Sequence, residues 1–264
     1  MSAKIATLTT DFGLKDPYAA EMKAVILSIC PMATIVDITH EVEKFNARMG
    51  AYILASAAQY FPKDTIHVAV VDPGVGTQRQ PILIQTKQGL FVGPDNGVLV
   101  LAAHKQEIVE IRQIANRKFM LPKVSNTFHG RDIFAPVAAY LLIGIPPPEF
   151  GPIVNEFAKP NFTCVTRDGS ALIGEVLHID GFGNIITNIC REEMKLANLE
   201  KSLSVDLDNR QLRLEMSKTY GDVKFHQAMA LFGSHGYLEI AVNQDSAAKA
   251  LSVNVGDKIR ITET

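Results

Sequence analysis

Residues 65–79 read TIHVAVVDPGVGTQR, an apolar run that ends in charged residues and glycines. An almost wholly apolar strand is typical of a parallel sheet that is covered by helices on both faces. The glycines allow positive φ angles and let a ligand approach the backbone. The same segment carries the carboxylate of Asp72 and the guanidinium of Arg79, and FHGRD at 128–132 adds the imidazole of His129. We therefore expect an α/β enzyme that acts on a small molecule.

Strand and helix patterns alternate around this segment, which is typical of α/β proteins. The predicted strands are 5–13, 33–39, 65–76, 81–86 and 90–99, and the predicted helices are 17–31, 46–62 and 133–144. A Lys-Gln-Gly turn at 87–89 joins the last two strands. Asp11 and Asp72 both fall at the carboxyl ends of predicted strands, where ligands bind in such sheets. The pattern predicts a Rossmann-like α/β domain with its site at these ends.

The composition changes to proline, glycine and polar residues from Pro146, and short strand patterns follow. We predict an N-terminal domain at 1–155, a linker at about 146–167 and a C-terminal domain at 168–264. The strand patterns of the second domain are 171–180, 184–189, 203–209, 211–216, 228–243 and 257–262, with helical patterns at 191–199 and 246–251. Several short strands at this spacing predict a small β-barrel.

Composition and charge exclude several classes of function. The chain has 264 residues, 47% of them hydrophobic, and a formal net charge of −2 with no basic cluster, so a nucleic-acid partner is not expected. Cys30, Cys164 and Cys190 are far apart and form no CxxC pair, which argues against a zinc site or a disulfide framework. No signal peptide or long apolar span is recognisable. We expect a cytoplasmic protein that does not contact a membrane.

The candidate residues of the first domain also allow structural interpretations. Carboxylates after a strand, such as Asp11 and Asp16, can accept hydrogen bonds from ribose hydroxyls, but Asp16 before Pro17 also fits a helix N-cap. A metal-binding aspartate cluster and a phosphate-binding glycine motif do not match the sequence. His129 beside a glycine is as consistent with a structural role as with a catalytic one. The adjacent Arg131 and Asp132 are interpreted as a structural pair.

Two polar turns stand out in the second domain. HIDGFGN at 178–184 combines Asp180, Phe182 and Asn184, and FGSHGYLE at 232–239 offers Ser234 and Glu239. Each turn is also explained as an ordinary hairpin connection. Their significance depends on the rest of the chain.

Taken together, these segments resemble the S-adenosyl-L-methionine hydroxide adenosyltransferases, which are relatives of the fluorinase and chlorinase that use the same substrate. The resemblance rests on seven blocks in order: TLTTDFGLKDPYAAEMKAVI, DITHEV, VAVVDPGVGTQR, FVGPDNGVL, TFHGRDIFAP, HIDGFGNIITNI and SHGYLEIAVN. It implies an α/β domain, a small β-barrel domain and a homotrimer with sites between subunits. It also implies cleavage of S-adenosylmethionine by water to adenosine and L-methionine, without a metal or a cofactor.

The resemblance also implies roles for individual residues. Asp72, Arg79 and His129 match the catalytic triad of the hydrolases, and position 72 and position 129 carry other residues in the halogenases. The implied substrate-binding residues are Asp11, Asp16, Phe45, Asp72, Phe128, Asp180, Phe182, Asn184, Ser234, Glu239 and Val242. Among these, Asp11 would hold the ribose hydroxyls, and Glu239 and the backbone near Val242 would lie beside the adenine.

The expected chemistry is an in-line displacement at the ribose 5′ carbon. The sulfonium leaves as a neutral thioether, so the difficult step is the activation of water, whose pKa is near 15.7. Positioning and a general base lower that barrier. Because a guanidinium stabilises the charged form of a neighbouring carboxylate and weakens it as a base, the sequence leaves open whether Asp72 or His129 takes the proton. A sensor without turnover and a halogenase are the alternatives; the charge of Asp72 disfavours a halide site.

Overall fold

The computed structural model of the chain describes residues 4–194, 202–207 and 210–263. The contacts divide the chain into two compact units, Met1–Lys159 and Pro160–Thr264. We call them the α/β unit and the barrel unit. The predicted limits, 1–155 and 168–264, differ from these by a few residues. In the stretch predicted as a linker, Phe150 is fully buried in the α/β unit and Phe162 is buried in the barrel unit.

The α/β unit contains a six-stranded mixed sheet. Its strands are β1 (Ile5–Thr10), β2 (Thr34–Thr39), β3 (Ile66–Val70), β4 (Pro81–Thr86), β5 (Leu90–Pro94) and β6 (Ile108–Gln113). Its helices are α1 (Tyr18–Ile29), α2 (Ala47–Ala58), α3 (Val100–Lys105) and α4 (Ala135–Leu142). The strand order is β2-β1-β3-β5-β4-β6. Strands β2, β1, β3 and β5 are parallel, whereas β4 pairs antiparallel with both β5 and β6. The α/β class is confirmed, but the sheet is not wholly parallel.

Apolar packing of α1 and α4 against the strands forms the core of this unit. Met22 and Ile26 of α1 and Phe134 before α4 lie with Leu8 and Val68 in one buried cluster. Strand β3 is buried at every position, as its apolar sequence predicted. The hairpin between β4 and β5 is also confirmed, with its turn closed by the Thr86 hydroxyl, which donates to the Gly89 carbonyl.

The predicted strand at 90–99 is too long. Strand β5 ends at Pro94, and Gly97 then adopts a positive φ of 95° that an extended strand does not allow. The Asn96 side chain fixes this turn, because its amide donates to the Val71 carbonyl and its oxygen accepts from the Val98 N–H. The chain continues into α3, which the sequence pattern did not predict.

The barrel unit is built on one antiparallel sheet. Its strands are β7 (Thr166–Asp168), β8 (Ala171–Ile179), β9 (Ile185–Cys190), β10 (Ser202–Leu207), β11 (Arg210–Glu215), β12 (Ala228–Phe232), β13 (Tyr237–Val242) and β14 (Lys258–Glu263). Two short helices, α5 (Arg191–Met194) and α6 (Ala247–Leu251), complete it. The order is β11-β10-β14-β8-β9-β13-β12, and β7 pairs with β8. A bridge between Met216 and Ala230 joins the end of β11 to β12, so the sheet nearly closes into a barrel.

Most strand patterns of the barrel unit are confirmed. The segment predicted at 228–243 divides into β12 and β13 around the predicted polar turn. Positions 195–199 of a predicted helix and 208–209 of a predicted strand lie outside the described residues. In the described part of the chain, every helix is too short or too polar to cross a membrane.

Candidate functional site

The two carboxylates predicted to lie at strand ends are neighbours at one edge of the sheet. Asp11 follows β1 directly, and Asp72 lies two residues after β3. Strands β1 and β3 are parallel and paired, with Thr10 opposite Val70. The carboxyl ends of parallel strands meet at the same edge, so the topology brings both residues there, as the sequence predicted.

Asp72, Arg79 and His129 form one hydrogen-bonded cluster. Arg79 Nε donates to Asp72 Oδ1 at 2.9 Å, and Arg79 Nη2 donates to Asp72 Oδ2. The same Nη2 lies 2.7 Å from His129 Nδ1. The Asp72 and Arg79 side chains are only 5% and 9% exposed, so this bidentate ion pair is largely shielded from solvent. The structure therefore unites the three residues that were predicted to be catalytic.

The arginine determines the protonation state of the histidine. A guanidinium has donors only, so His129 Nδ1 must accept the hydrogen bond and the ring must be neutral. Burial lowers the pKa of His129, and the charge of Arg79 lowers it further. Asp72, Asp132 and a hydrogen bond to the Ser125 backbone oppose this shift of the pKa. His129 is thus held as a neutral imidazole whose Nδ1 is occupied.

A close approach of two loops brings these side chains together. Gly76 has a φ of 75°, and a Cβ on it would lie 2.1 Å from the Asn126 carbonyl oxygen. Glycine is required there for both reasons. On the other loop, the buried Asp132 accepts from the Ser125 N–H and from Arg131 Nε. The predicted structural pair of Arg131 and Asp132 is therefore confirmed, and it fixes the loop that carries His129.

Asp11 is tied to the loop after β2. Its Oδ2 accepts from the Phe45 N–H at 2.9 Å, and Lys44 Nζ donates to its backbone carbonyl. Phe45 has a φ of 66° and a side chain that is 71% exposed. A positive φ is unfavourable for a phenylalanine, and strain of this kind is concentrated at functional sites. Asp11 and Phe45, which were both predicted to bind substrate, are thus in direct contact through the Phe45 backbone.

Asp16 and Phe128 have different surroundings. Asp16 is exposed, and α1 begins at Tyr18 with Pro17 at the N-cap and no side-chain cap, so the capping interpretation of Asp16 is wrong. Phe128 packs edge-to-face against Phe12 and Tyr18, with ring centroids 5.5 and 5.2 Å apart. These rings form an aromatic cluster at the edge where β1 ends.

The barrel unit contains a cavity of about 600 Å³. It is lined by Asp180, Phe182, Asn184, Tyr220, Val242, Gln244, Asp245 and Ser246. Four of these residues were predicted from the sequence. Its lining combines two aromatic rings with amide and carboxylate groups, which suits a small ligand that has a flat apolar part and polar edges.

Asp180 organises the turn at the mouth of this cavity. Its Oδ1 accepts from the N–H groups of Phe182 and Asn184, and its Oδ2 accepts from Asn184 Nδ2, each at 2.9 Å. Gly183 has a φ of 86°, and a Cβ on it would lie 2.1 Å from Ser246 Oγ. This contact fixes the turn against the residue that caps α6.

Two predicted residues lie outside the cavity lining. Ser234 is exposed in the turn between β12 and β13. Glu239 is buried on β13, and it accepts a hydrogen bond from the Tyr220 hydroxyl at 2.7 Å. Burial raises the pKa of Glu239, and the charge of Asp180 raises it further, while the Tyr220 hydrogen bond opposes the shift.

Sequence reasoning missed Tyr220, Gln244, Asp245 and Ser246. Gln244, Asp245 and Ser246 directly follow the block that ends at Asn243, so a longer block would have included them. Tyr220 lies in a polar segment without a strand or helix pattern, and no signal in the sequence marks it. Within residues 4–194, 202–207 and 210–263, no cluster of histidine, cysteine and acidic side chains could hold a metal ion.

The chain combines two features. Its α/β unit carries an acid–guanidinium–imidazole cluster at the strand ends, and a nearly closed barrel follows in the sequence. Together they define a class of two-domain protein. The family model described as SAM hydroxide adenosyltransferase N-terminal domain matches residues 6–151, and the corresponding C-terminal domain model matches 174–260. The chain belongs to this family.

Several known proteins are similar to this chain over nearly its whole length. A protein of Salinispora tropica named (R)-S-adenosyl-L-methionine hydrolase is 39% identical, with 97% of each chain covered. One of the same name from Methanocaldococcus jannaschii is 38% identical over 97% of this chain and 95% of its own. A fluorinase of an Actinoplanes species is more distant, at 26% identity over 98% of this chain and 97% of its own. A crystal structure of an uncharacterized conserved protein from Thermotoga maritima aligns with a TM-score of 0.84 at 42% identity, covering 98% of this chain and 99% of that one.

Proposed function

We propose that this protein hydrolyses (R)-S-adenosyl-L-methionine to adenosine and L-methionine. The observation that carries the proposal is the cluster of Asp72, Arg79 and His129 at the end of β3, in a chain whose relatives bear the name of this activity. The oxygen of water forms a bond to the ribose 5′ carbon while the bond between that carbon and sulfur breaks. The electron pair leaves with sulfur, so methionine departs as a neutral thioether.

Asp72 is the general base of this mechanism. His129 Nδ1 accepts from Arg79 and therefore cannot take a proton from water. Each Asp72 oxygen accepts one hydrogen bond from Arg79 and retains a second lone pair for the water. Arg79 orients the carboxylate, and His129 holds Arg79. A base placed in this way contributes about 10²–10⁴-fold to the rate.

The remaining predicted residues bind the substrate. Asp11 accepts hydrogen bonds from the ribose hydroxyls with the help of Asp16, and the Phe45 and Phe128 rings pack beside the nucleoside. In the barrel unit, Asp180, Asn184 and Ser234 bind the methionine end and the ribose. Glu239 and the backbone near Val242 lie on the side of the adenine, and Phe182 lines the same cavity as Val242. The contact of Asp11 with the Phe45 N–H and the cavity that Asp180, Phe182, Asn184 and Val242 line together support these roles.

The finer architecture is part of the same proposal. We infer a Rossmann-like arrangement of the parallel strands and a homotrimer whose sites lie between neighbouring subunits. The protein acts in the cytoplasm, uses S-adenosylmethionine as substrate and needs no metal and no cofactor.

The name that these relatives bear specifies the substrate further. The prefix L fixes the amino-acid carbon and the ribose carbons have their usual configuration, so (R) designates the sulfonium centre. In-line attack requires the leaving sulfur to lie opposite the water, and a rigid site holds only one sulfonium epimer in that way. The protein therefore prefers the R epimer.

The test is to incubate purified protein with a mixture of both sulfonium epimers in halide-free buffer and to separate the products by chromatography. We expect adenosine and methionine in equal amounts, in excess of the enzyme, with the R epimer consumed first. Tight binding without turnover would identify a sensor instead. A halogenated nucleoside after addition of chloride or fluoride would identify a halogenase, and equal consumption of both epimers would overturn the stereochemical part.

A further inference from the structure

Tyr220 and Glu239 form a pair at the wall of the barrel-unit cavity. The Tyr220 ring lines the cavity and is 45% exposed, whereas Glu239 is 6% exposed and does not contribute to the lining. The Tyr220 hydroxyl donates to Glu239 Oε1 at 2.7 Å. Glu239 thus contacts the cavity lining through its hydrogen bond to the tyrosine.

The surroundings of Glu239 fit the carboxylate closely. A Cβ on Gly233 would lie 2.6 Å from Glu239 Oε2, so a larger residue at position 233 would displace the carboxylate. Burying a carboxylate is costly unless hydrogen bonds compensate, and Tyr220 supplies one. The hydrogen bond to this buried acid in turn restrains the hydroxyl end of the Tyr220 ring.

The backbone of Tyr220 is fixed independently. A capping box begins the turn Tyr220–Asp222, in which Asp222 Oδ2 accepts from the N–H groups of Lys218 and Thr219 and the Thr219 hydroxyl donates to Oδ1. The main chain is therefore held by Asp222, and the ring is held by Glu239. Loss of Glu239 would remove the hydrogen bond that restrains the ring without releasing the turn.

We propose that Glu239 is a positioning residue, which holds the Tyr220 ring as the wall against which the adenine of the substrate stacks. This inference rests on the proposed function, because S-adenosylmethionine is the ligand that brings an adenine. Adenine is the only part of that substrate with a flat π face, and the cavity offers a second ring in Phe182. Stacking of a base on an aromatic side chain is sequence-tolerant and strong enough to matter for binding.

The test compares variants of both residues with a matched control. Tyr220→Leu removes the ring, and Tyr220→Phe removes only the hydroxyl. Glu239→Ala removes the hydrogen-bond acceptor, whereas Glu239→Gln keeps one acceptor oxygen. Tyr60 is 70% exposed and belongs to the α/β unit, so Tyr60→Leu controls for loss of an exposed tyrosine. For each variant we would measure KM, kcat, inhibition by adenosine and inhibition by L-methionine.

For Tyr220→Leu we expect KM and the adenosine inhibition constant to rise about tenfold or more, with L-methionine inhibition unchanged. Tyr220→Phe and Glu239→Ala should show the same smaller rise, and the double variant no further rise, because both remove one hydrogen bond. Glu239→Gln should recover most of the loss seen in Glu239→Ala.

Three results would overturn the inference: an unchanged adenosine constant in Tyr220→Leu, additive effects in the double variant, or equal loss in Glu239→Gln and Glu239→Ala. If Tyr220→Leu fails to fold, the hydroxyl and carboxylate variants decide the matter by themselves. Failure of the wild-type protein to release adenosine would instead contradict the proposed function, and adenosine binding measured by calorimetry would still test the tyrosine.

Discussion

The side chain of Asp72 determines whether the cluster can activate water. Asp72→Asn keeps the shape of the residue but removes the charge and the basic oxygen, while Arg79 keeps one acceptor. We expect kcat to fall by about 10²–10⁴-fold with KM little changed. Steady-state kinetics checks this, together with substrate binding by calorimetry. Near-normal turnover in Asp72→Asn would remove Asp72 from the mechanism.

His129 gives the reaction a characteristic pH dependence. Its pKa is lowered by burial and by Arg79, so the neutral form that accepts from Arg79 persists below pH 6.5. At still lower pH, protonation of His129 would place a second cation beside Arg79. The repulsion between them would break the hydrogen bond and release Arg79. We expect the acid limb of kcat below pH 6.5, and His129→Asn, whose amide oxygen can still accept, should move that limb to lower pH. A wild-type midpoint above pH 6.5, or an unmoved limb in the variant, would contradict this role.

A site residue can be predicted from the local sequence when it lies at the end of a strand or the beginning of a helix. Asp11 and Asp72 could be found because each follows an apolar strand, and His129 because a glycine and a helix follow it. Tyr220 has no such signal, since its role depends on a hydrogen bond to Glu239, nineteen positions away. The capping interpretation of Asp16 was wrong because the helix begins later, at Tyr18.

At the level of elements, a glycine sets the distance between the two loops of the cluster. Gly76→Ala would need a positive φ and would push against the Asn126 carbonyl, which moves Arg79 away from His129. We expect kcat to fall at least tenfold and the protein to lose about 1–3 kcal/mol of stability. The measurements are steady-state kinetics and thermal unfolding.

Gly169→Ala is the matched control for this change. Gly169 also has a positive φ, 59°, but a Cβ on it meets nothing within 4 Å. The Gly169→Ala variant should lose only the stability that a positive φ costs an alanine, and its kcat and KM should be normal. Equal kinetics in the two variants would mean that the contact between the loops does not position the cluster.

Several elements with a clear period or a turn signal were predicted, whereas helix α3 and strand β6 were not. Strand β3 and the hairpin of β4 and β5 follow from apolar runs and a glycine turn. Helix α3 spans only six residues, too few for a helical period to show. The near closure of the barrel depends on one bridge between Met216 and Ala230, a long-range pairing that no local pattern contains.

At the scale of the whole molecule, a buried histidine should govern stability in acid. His67 lies 1% exposed in the sheet, stacked on Phe91, and burial lowers its pKa to about 4. The unfolded chain binds a proton near pH 6.5, so stability falls as the pH drops from 6.5 towards 4, by up to about 3 kcal/mol. Urea unfolding at several pH values measures this loss. His67→Gln should flatten the dependence, and an equal slope in the variant would assign the acid loss to other groups.

The proposed assembly predicts that two inactive variants restore each other. Asp72→Asn disables the α/β half of a site and Asn184→Leu the barrel half. If each site combines halves from neighbouring subunits, trimers co-assembled from equal amounts of the two variants contain some sites with both halves intact. Random assembly makes about a quarter of the sites intact, because each half is intact in half of the subunits. We expect turnover near that fraction of wild type after co-expression, with each variant alone as the control. Turnover no higher than that of the separate variants would place each site within a single subunit.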